Sequence, residues 1–216
     1  MDELKSQVAK TAKEMARLGL VTHSWGNVSA KDPKSSHVVI TPSGLNYDRL
    51  NSEDMVVVDP KGTVVEGHYK PSVETPMHTT IYRARPDVNA IVHTHSLYAS
   101  VVAVTSTHIP PIVDEMVVYI GGAIEVADYG FPGTEELANA GVEALGDRRA
   151  VILRNHGMCA AAPTVKEALR IAILVERVAQ IFVHAETMGG ATEIPDYAIE
   201  TERQVYLMRS GLTGTD

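Results

Sequence analysis

Apolar residues recur at spacings of four and three over residues 2–18, as Leu4, Val8, Ala12, Met15 and Leu18, with charged residues between them. That spacing gathers an apolar stripe on one face of a helix, and Gly19 follows as its stop signal. The pattern then lapses. Residues 22–30 are mostly small and polar, and their Ser24-Trp25-Gly26-Asn27 core reads as a loop. A short apolar strand at 37–40 precedes a Thr-Pro-Ser-Gly turn at 41–44. Apolar runs at 55–58 and 63–65 flank Asp59-Pro60-Lys61-Gly62, a hairpin pattern.

The second half alternates more regularly. A helix is predicted over 74–84, closed by Arg85-Pro86-Asp87, then a strand at 90–93 and a helix at 96–104. Residues 112–127 read as strand-rich. A helix over 134–145 ends at Gly146, and strands at 150–153 and 158–161 follow. The longest amphipathic helix is predicted over 164–188, with Thr164 as N-cap and Gly189-Gly190 as the stop. A last helix covers 195–209, and the tail 211–216 reads as mobile. Several strands are close enough in sequence to form hairpins, which favours a mixed or mainly antiparallel sheet with helices packed on it. There are no repeats, and 216 residues are most simply one domain.

Composition narrows the function. The one cysteine, Cys159, rules out an intrachain disulfide, lies in an apolar stretch and reads as packing; a lone thiol fits a reducing, cytoplasmic setting. The start, Met-Asp-Glu-Leu-Lys, lacks the basic-then-apolar order of a leader, and no run of 18 apolar residues predicts a membrane span. The net charge of −8 argues against nonspecific nucleic-acid binding. An anionic substrate would have to be held by a metal ion or by backbone N–H groups.

Candidate chemistry gathers around three histidines. His93 and His95 close the strand Ile91-Val92-His93-Thr94-His95, and the period of two puts both imidazoles on one face, roughly 7 Å apart along the strand. His156, in Asn155-His156-Gly157, follows a second apolar run. Three neutral nitrogen ligands suit zinc with a coordination position left for chemistry, although each histidine could also be a hydrogen-bonded core residue. Glu74 starts a predicted helix behind Pro71-Ser72-Val73. It reads either as a carboxylate able to take a proton from carbon or as a helix-capping acid. Ser24-Trp25-Gly26-Asn27, Thr41-Pro42-Ser43-Gly44 and Pro71-Ser72 offer hydroxyls and N–H groups to a phosphate, or are plain turns.

Taken together, Gly26-Asn27-Val28-Ser29, Ile40-Thr41-Pro42-Ser43-Gly44, Pro71-Ser72-Val73-Glu74, Arg85-Pro86-Asp87, Val92-His93-Thr94-His95 and Asn155-His156-Gly157 resemble, in order and spacing, the class II aldolase/adducin family, and within it the zinc-dependent aldolases of ketose 1-phosphates. The resemblance implies a three-layer αβα fold, a mainly antiparallel sheet between helices, and a homotetramer with sites near subunit interfaces. It implies that His93, His95 and His156 hold Zn2+, with Mn2+ or Co2+ as alternatives. Glu74 would be the acid/base that also touches the metal when no substrate is bound. Ser24, Gly26, Asn27, Ser43, Gly44 and Ser72 would cradle the phosphate of a phosphorylated sugar. The reaction implied is reversible cleavage of a ketose 1-phosphate, such as L-fuculose 1-phosphate, to dihydroxyacetone phosphate and an aldehyde. Two positions depart from the pattern. Val73 replaces a second serine of the cradle, and Glu115 stands where a tyrosine would face the aldehyde, with Tyr119 and Tyr206 as other donors. Related platforms serve a sugar-phosphate 4-epimerase, a decarboxylase or a dehydratase, and adducin-like members are assembly modules without enzymatic activity.

Overall fold

Alternation along the strand Ala90–Thr94 (β5) organises the molecule, a computed structural model describing residues 1–105 and 108–212. Ala90 and Val92 face one way and Ile91 the other, each into a separate apolar cluster. The strands around it are β1 (Gly26–Lys31), β2 (Val38–Ile40), β3 (Val56–Val58), β4 (Val64–Glu66), β6 (His108–Ile109), β7 (Ile124–Ala127), β8 (Ala150–Leu153) and β9 (Gly157–Ala162). Among the described residues they form one sheet in the order β4-β3-β2-β1-β5-β9-β8-β7-β6. Every pairing is antiparallel except β7 with β8.

Helices cover both faces. α1 (Asp2–Arg17), α3 (Leu97–Thr105) and α5 (Val165–Thr187) bury Val8, Met15, Val102 and Val175 against Val28, Val92 and Ala160. α2 (Thr75–Ala84) and α4 (Glu135–Leu145) bury Met77, Ile81 and Leu137 against Ile40, Ile91 and Val151. The result is a three-layer αβα architecture with a mainly antiparallel sheet. α6 (Asp196–Ser210) lies outside these layers and anchors through buried Tyr206, whose hydroxyl donates to the Asp147 carbonyl at 2.6 Å.

The hairpin, the long helix with its Thr164 cap and the 134–145 helix agree with their sequence patterns. Two readings are corrected. Of Ser24-Trp25-Gly26-Asn27, read as a loop, Gly26 and Asn27 instead open the inner strand β1, which is buried because small residues fit beneath α2. The region 112–127 is strand only at Ile124–Ala127; Met116–Ile120 is a π-helical turn ending at Gly121, whose φ is +104°. A Cβ on Gly121 would meet the Tyr206 ring at 2.8 Å, so this turn and α6 specify each other. At the start of the tail, Gly211 is the left-handed C-cap of α6, and the Leu212 N–H donates to the Leu207 carbonyl. Residues 213–216 of the expected mobile tail lie outside the described residues.

Candidate metal centre

β1, β5 and the β8–β9 turn converge on the first residues of α2. Asn155 adopts φ +56°, a left-handed conformation that asparagine tolerates, and this swings His156 out of the turn between β8 and β9. Gly157 then pairs with Leu153, and a Cβ there would strike the Thr94 carbonyl oxygen. Gly26 is equally constrained. Its φ is +122°, and a Cβ would lie 2.6 Å from the carbonyl oxygen of His93. The two glycines therefore let β1 and the β8–β9 turn close on the strand that carries His93.

The outcome is a compact group: Glu74, His93, His95 and His156 each offer one ligand atom, all within 4.8 Å of one another. The imidazole centroids form a near-equilateral triangle with sides of 4.8, 4.8 and 4.9 Å. His93 Nδ1 lies 2.9 Å from the Met158 carbonyl. A carbonyl only accepts, so Nδ1 carries a proton and Nε2 is the ring nitrogen turned toward the other ligand atoms. That Nε2 is 2.9 Å from His95 Nε2 and 2.9 Å from Glu74 Oε2. His156 Nε2 lies 3.2 Å from Glu74 Oε1, yet that oxygen is buried without a hydrogen-bond partner.

Electron-rich atoms thus converge on one point with too few protons among them, an arrangement that a divalent cation completes. Three imidazoles and a carboxylate are a nitrogen and oxygen donor set for such an ion. The Met158 carbonyl fixes the ring of His93 as outer partners of metal ligands do. Burial, then the charge of His93, lowers His95 to about 3; the same causes lower His156 to about 4. Both rings are therefore neutral and free to coordinate near pH 7. For Glu74, burial alone would raise the pKa, but His93, His156 and the Asn27 amide together hold the carboxyl well below its usual range.

Glu74 does not cap α2 with its side chain, although it is the N-cap residue. This decides between its two readings: the carboxylate faces the histidines. It also accepts a hydrogen bond at 2.8 Å from Asn27 Nδ2. The helix start is held instead by Ser72, whose hydroxyl accepts from the Glu74 N–H at 3.3 Å and whose carbonyl accepts from the Thr75 N–H. Ser72 and Ser43 lie on neighbouring segments: the Ser72 N–H donates to the Thr41 carbonyl at 3.1 Å and the Ser43 N–H to the Lys70 carbonyl at 2.9 Å. Ser43 and Gly44 are exposed, Ser24 is half-buried and Val73 points outward. Glu115 is not brought to this cluster within the chain; it precedes the π-helical turn and lines a different cleft.

One network escaped the sequence reading. Ser29 Oγ lies 2.6 Å from His78 Nδ1 and 2.7 Å from the Tyr82 hydroxyl, all buried beneath Glu74 on the α2 face. His78 Nε2 and Asn27 Oδ1 are buried without partners. The available signals were the alternation Asn27, Ser29, Lys31 and the i, i+4 spacing of Glu74, His78 and Tyr82.

The model of the class II aldolase and adducin N-terminal domain matches residues 6–183. The chain belongs to the class II aldolase and adducin family. This member is 37% identical over 196 residues to a 5-deoxy-D-ribulose 1-phosphate aldolase of Bacillus thuringiensis serovar kurstaki, covering 91% of this chain and 92% of that one. A solved L-fuculose 1-phosphate aldolase superposes with a TM-score of 0.90 at 35% identity, over 94% of this chain and 95% of that one. The l-fuculose-1-phosphate aldolase of Thermus thermophilus gives 0.75 at 29%, over 88% and 98%. This class II aldolase thus shares nearly the full length of enzymes acting on ketose 1-phosphates.

Proposed function

We propose that the protein catalyses reversible aldol cleavage of a ketose 1-phosphate to dihydroxyacetone phosphate and an aldehyde, with Zn2+ as its metal. The observation that carries this reading is the Glu74, His93, His95 and His156 cluster in a chain related throughout its length to such aldolases. His93, His95 and His156 would hold the ion, and Glu74 would add a fourth contact when substrate is absent. Bound there, a divalent ion supplies a Lewis acid for the hydroxyl and carbonyl oxygens of the substrate.

The chain's own residues supply the rest. Glu74 is ionised and takes the proton from the carbon beside the ketone in the condensation direction, returning it after cleavage. Asn27 donates to Glu74 Oε2 at 2.8 Å and so aims the carboxylate. The hydroxyls of Ser43 and Ser72 and the backbone at Gly26 and Gly44, with Ser24 at the edge, hold the phosphate, which suits an acidic chain because these groups are neutral. Asn27 completes the cradle at the start of β1, its side-chain Nδ2 being engaged on Glu74. For Glu115 to protonate the aldehyde oxygen it must come from a neighbouring copy, which accords with a homotetramer. Among the described residues no helix is long and apolar enough to cross a membrane, and Cys159 is buried and free, in keeping with a cytoplasmic enzyme.

The test is proton exchange. Metal-loaded protein should exchange a proton of dihydroxyacetone phosphate with deuterated water in the absence of any aldehyde, and should form a ketose 1-phosphate once short hydroxyaldehydes are supplied. Exchange without condensation would favour a 4-epimerase or a decarboxylase on the same platform. No exchange at full metal occupancy would sink the aldolase reading.

A further inference from the structure

Three alternate residues of β1 meet three residues of α2 that stand one turn apart. Asn27 Nδ2 donates to Glu74 Oε2 at 2.8 Å. Two strand positions on, Ser29 Oγ lies 2.6 Å from His78 Nδ1 and 2.7 Å from the Tyr82 hydroxyl. Two further on, the Lys31 ammonium stands over the Tyr82 ring, 5.3 Å from its centre. The match has a simple cause. Two residues of strand rise roughly 6.5 Å and four residues of helix about 6 Å, so a helix lying along a strand can repeat its contacts every fourth residue against every second one. The result is a ladder whose first rung ends on Glu74.

The polar rungs do what the apolar contacts beside them cannot. α2 also buries Met77 and Ile81 against Ile40 and Ile91. Such contact holds the layers together, but it is non-directional and tolerates a small slide or roll of the helix. Hydrogen bonds are directional, and those of the second rung join buried groups, so water does not replace a broken one. The first rung is weaker. Glu74 makes no capping bond with its side chain, and apart from the histidines its carboxylate is held by Asn27, whose Oδ1 is itself buried without a partner. The second rung reaches Glu74 through the backbone as well, because the His78 N–H donates to the Glu74 carbonyl at 3.2 Å. What keeps Asn27 opposite Glu74 is therefore the rung one turn further along α2.

We propose that Ser29 and His78 are positioning residues for the aldol step: their hydrogen bond fixes the register of α2 on β1 and so holds the Glu74 carboxylate at the carbon whose proton it moves. This rests on the reading of Glu74 as the base. Both residues are fully buried and act through Glu74. Ser29→Ala and His78→Leu remove the rung, whereas His78→Asn sets a side-chain amide where Nδ1 stood and gives Ser29 a partner again. The assay is metal-loaded protein with dihydroxyacetone phosphate and a short hydroxyaldehyde. Ser29→Ala and His78→Leu should lower kcat about ten- to a hundred-fold, the scale of a misplaced reacting group, with KM within about two-fold and metal stoichiometry unchanged. His78→Asn should recover most of the loss. Met15→Ala, a cavity on the opposite face of the sheet, should keep its kcat. A second readout needs no activity. In metal-free protein labelled with heavy nitrogen at asparagine, the Asn27 side-chain amide is identified as the signal missing from Asn27→Asp. Its protons should exchange with water about ten-fold faster in Ser29→Ala and His78→Leu than in wild type, because the contact with Glu74 opens more often. An unchanged kcat in both variants, an equal loss in Met15→Ala or a rise in KM alone overturns the proposal, as does an Asn27 signal that neither variant moves. If the wild type neither exchanges the proton nor condenses, the aldolase reading fails by itself, and the Asn27 signal still decides the register.

Discussion

The two faces of the central sheet are built from the same strands and do opposite work. Toward α1, α3 and α5, β1, β5 and β9 present Val28, Ala30, Val92, Met158 and Ala160, with Thr94 the polar residue at the end of β5. Toward α2, the same strands present Asn27, Ser29 and His93, and β5 leads on to His95. The first face stabilises the fold through close-packed apolar contact. The second is the only place where Glu74 can meet the histidines, and its buried polar groups need partners to be tolerated. Most have them, and the exceptions, Glu74 Oε1, His156 Nδ1, His78 Nε2 and Asn27 Oδ1, gather at the candidate metal centre. One sheet thus confines the candidate metal centre to one face by the parity of residue position along each strand, while both faces keep an apolar core.

That separation is open to attack from both sides. The largest effect should come from Glu74→Gln on the α2 face. It keeps size and hydrogen bonding, so kcat should fall by about two to four orders of magnitude while metal content and unfolding midpoint stay near wild type. Metal loss in this variant would mean that Glu74 is chiefly a ligand.

Acid should find the same face first. In the metal-free protein, burial, the main cause, lowers His78 to about 3, as it does His95, and lowers His156 to about 4, against 6.5 in the unfolded chain. The unfolded state then binds protons that the folded state excludes, so this stability is complete above pH 6.5 and is lost as pH falls toward 3. Urea midpoints measured across that range should decline for the metal-free wild type. A flat profile would show that the histidines take up protons without unfolding.

On the opposite face, Met15→Ala removes a fully buried side chain and should cost about 2–5 kcal/mol in urea unfolding, with metal stoichiometry unchanged. Loss of metal there would show that the faces are coupled. The smallest effect should be that of Ser29→Ala, which strips the shared partner from His78 and Tyr82 and should cost about 1–3 kcal/mol. If the network also steadies the floor beneath Glu74, kcat should drop with KM unmoved; a rise in KM alone would tie it to the phosphate instead.

Local patterns fixed a good deal. The long apolar helices, the hairpin around Asp59-Pro60-Lys61-Gly62 and the strand-end His93 and His95 pair all depend on residues within a few positions of each other, where periodicity is a direct read of geometry. The family's motifs were legible for the same reason, each being a short run. β1 was not legible, because small polar residues look like a loop unless one knows that α2 lies over them and satisfies them. The π-helical turn was misread as strand because its apolar run carries no period that tells the two apart, and only the docking of Tyr206 on Gly121 selects it. The same holds for the ambiguous Glu74. Nothing near it in the chain separates a capping acid from a site carboxylate, and the choice is made by histidines and an asparagine contributed by β5, the β8–β9 turn and β1. Sequence determined the long helices, the hairpin and the strand-end histidine pair. Tertiary structure alone decided which of the chain's carboxylates and histidines share a site, because those contacts join residues that no local spacing relates.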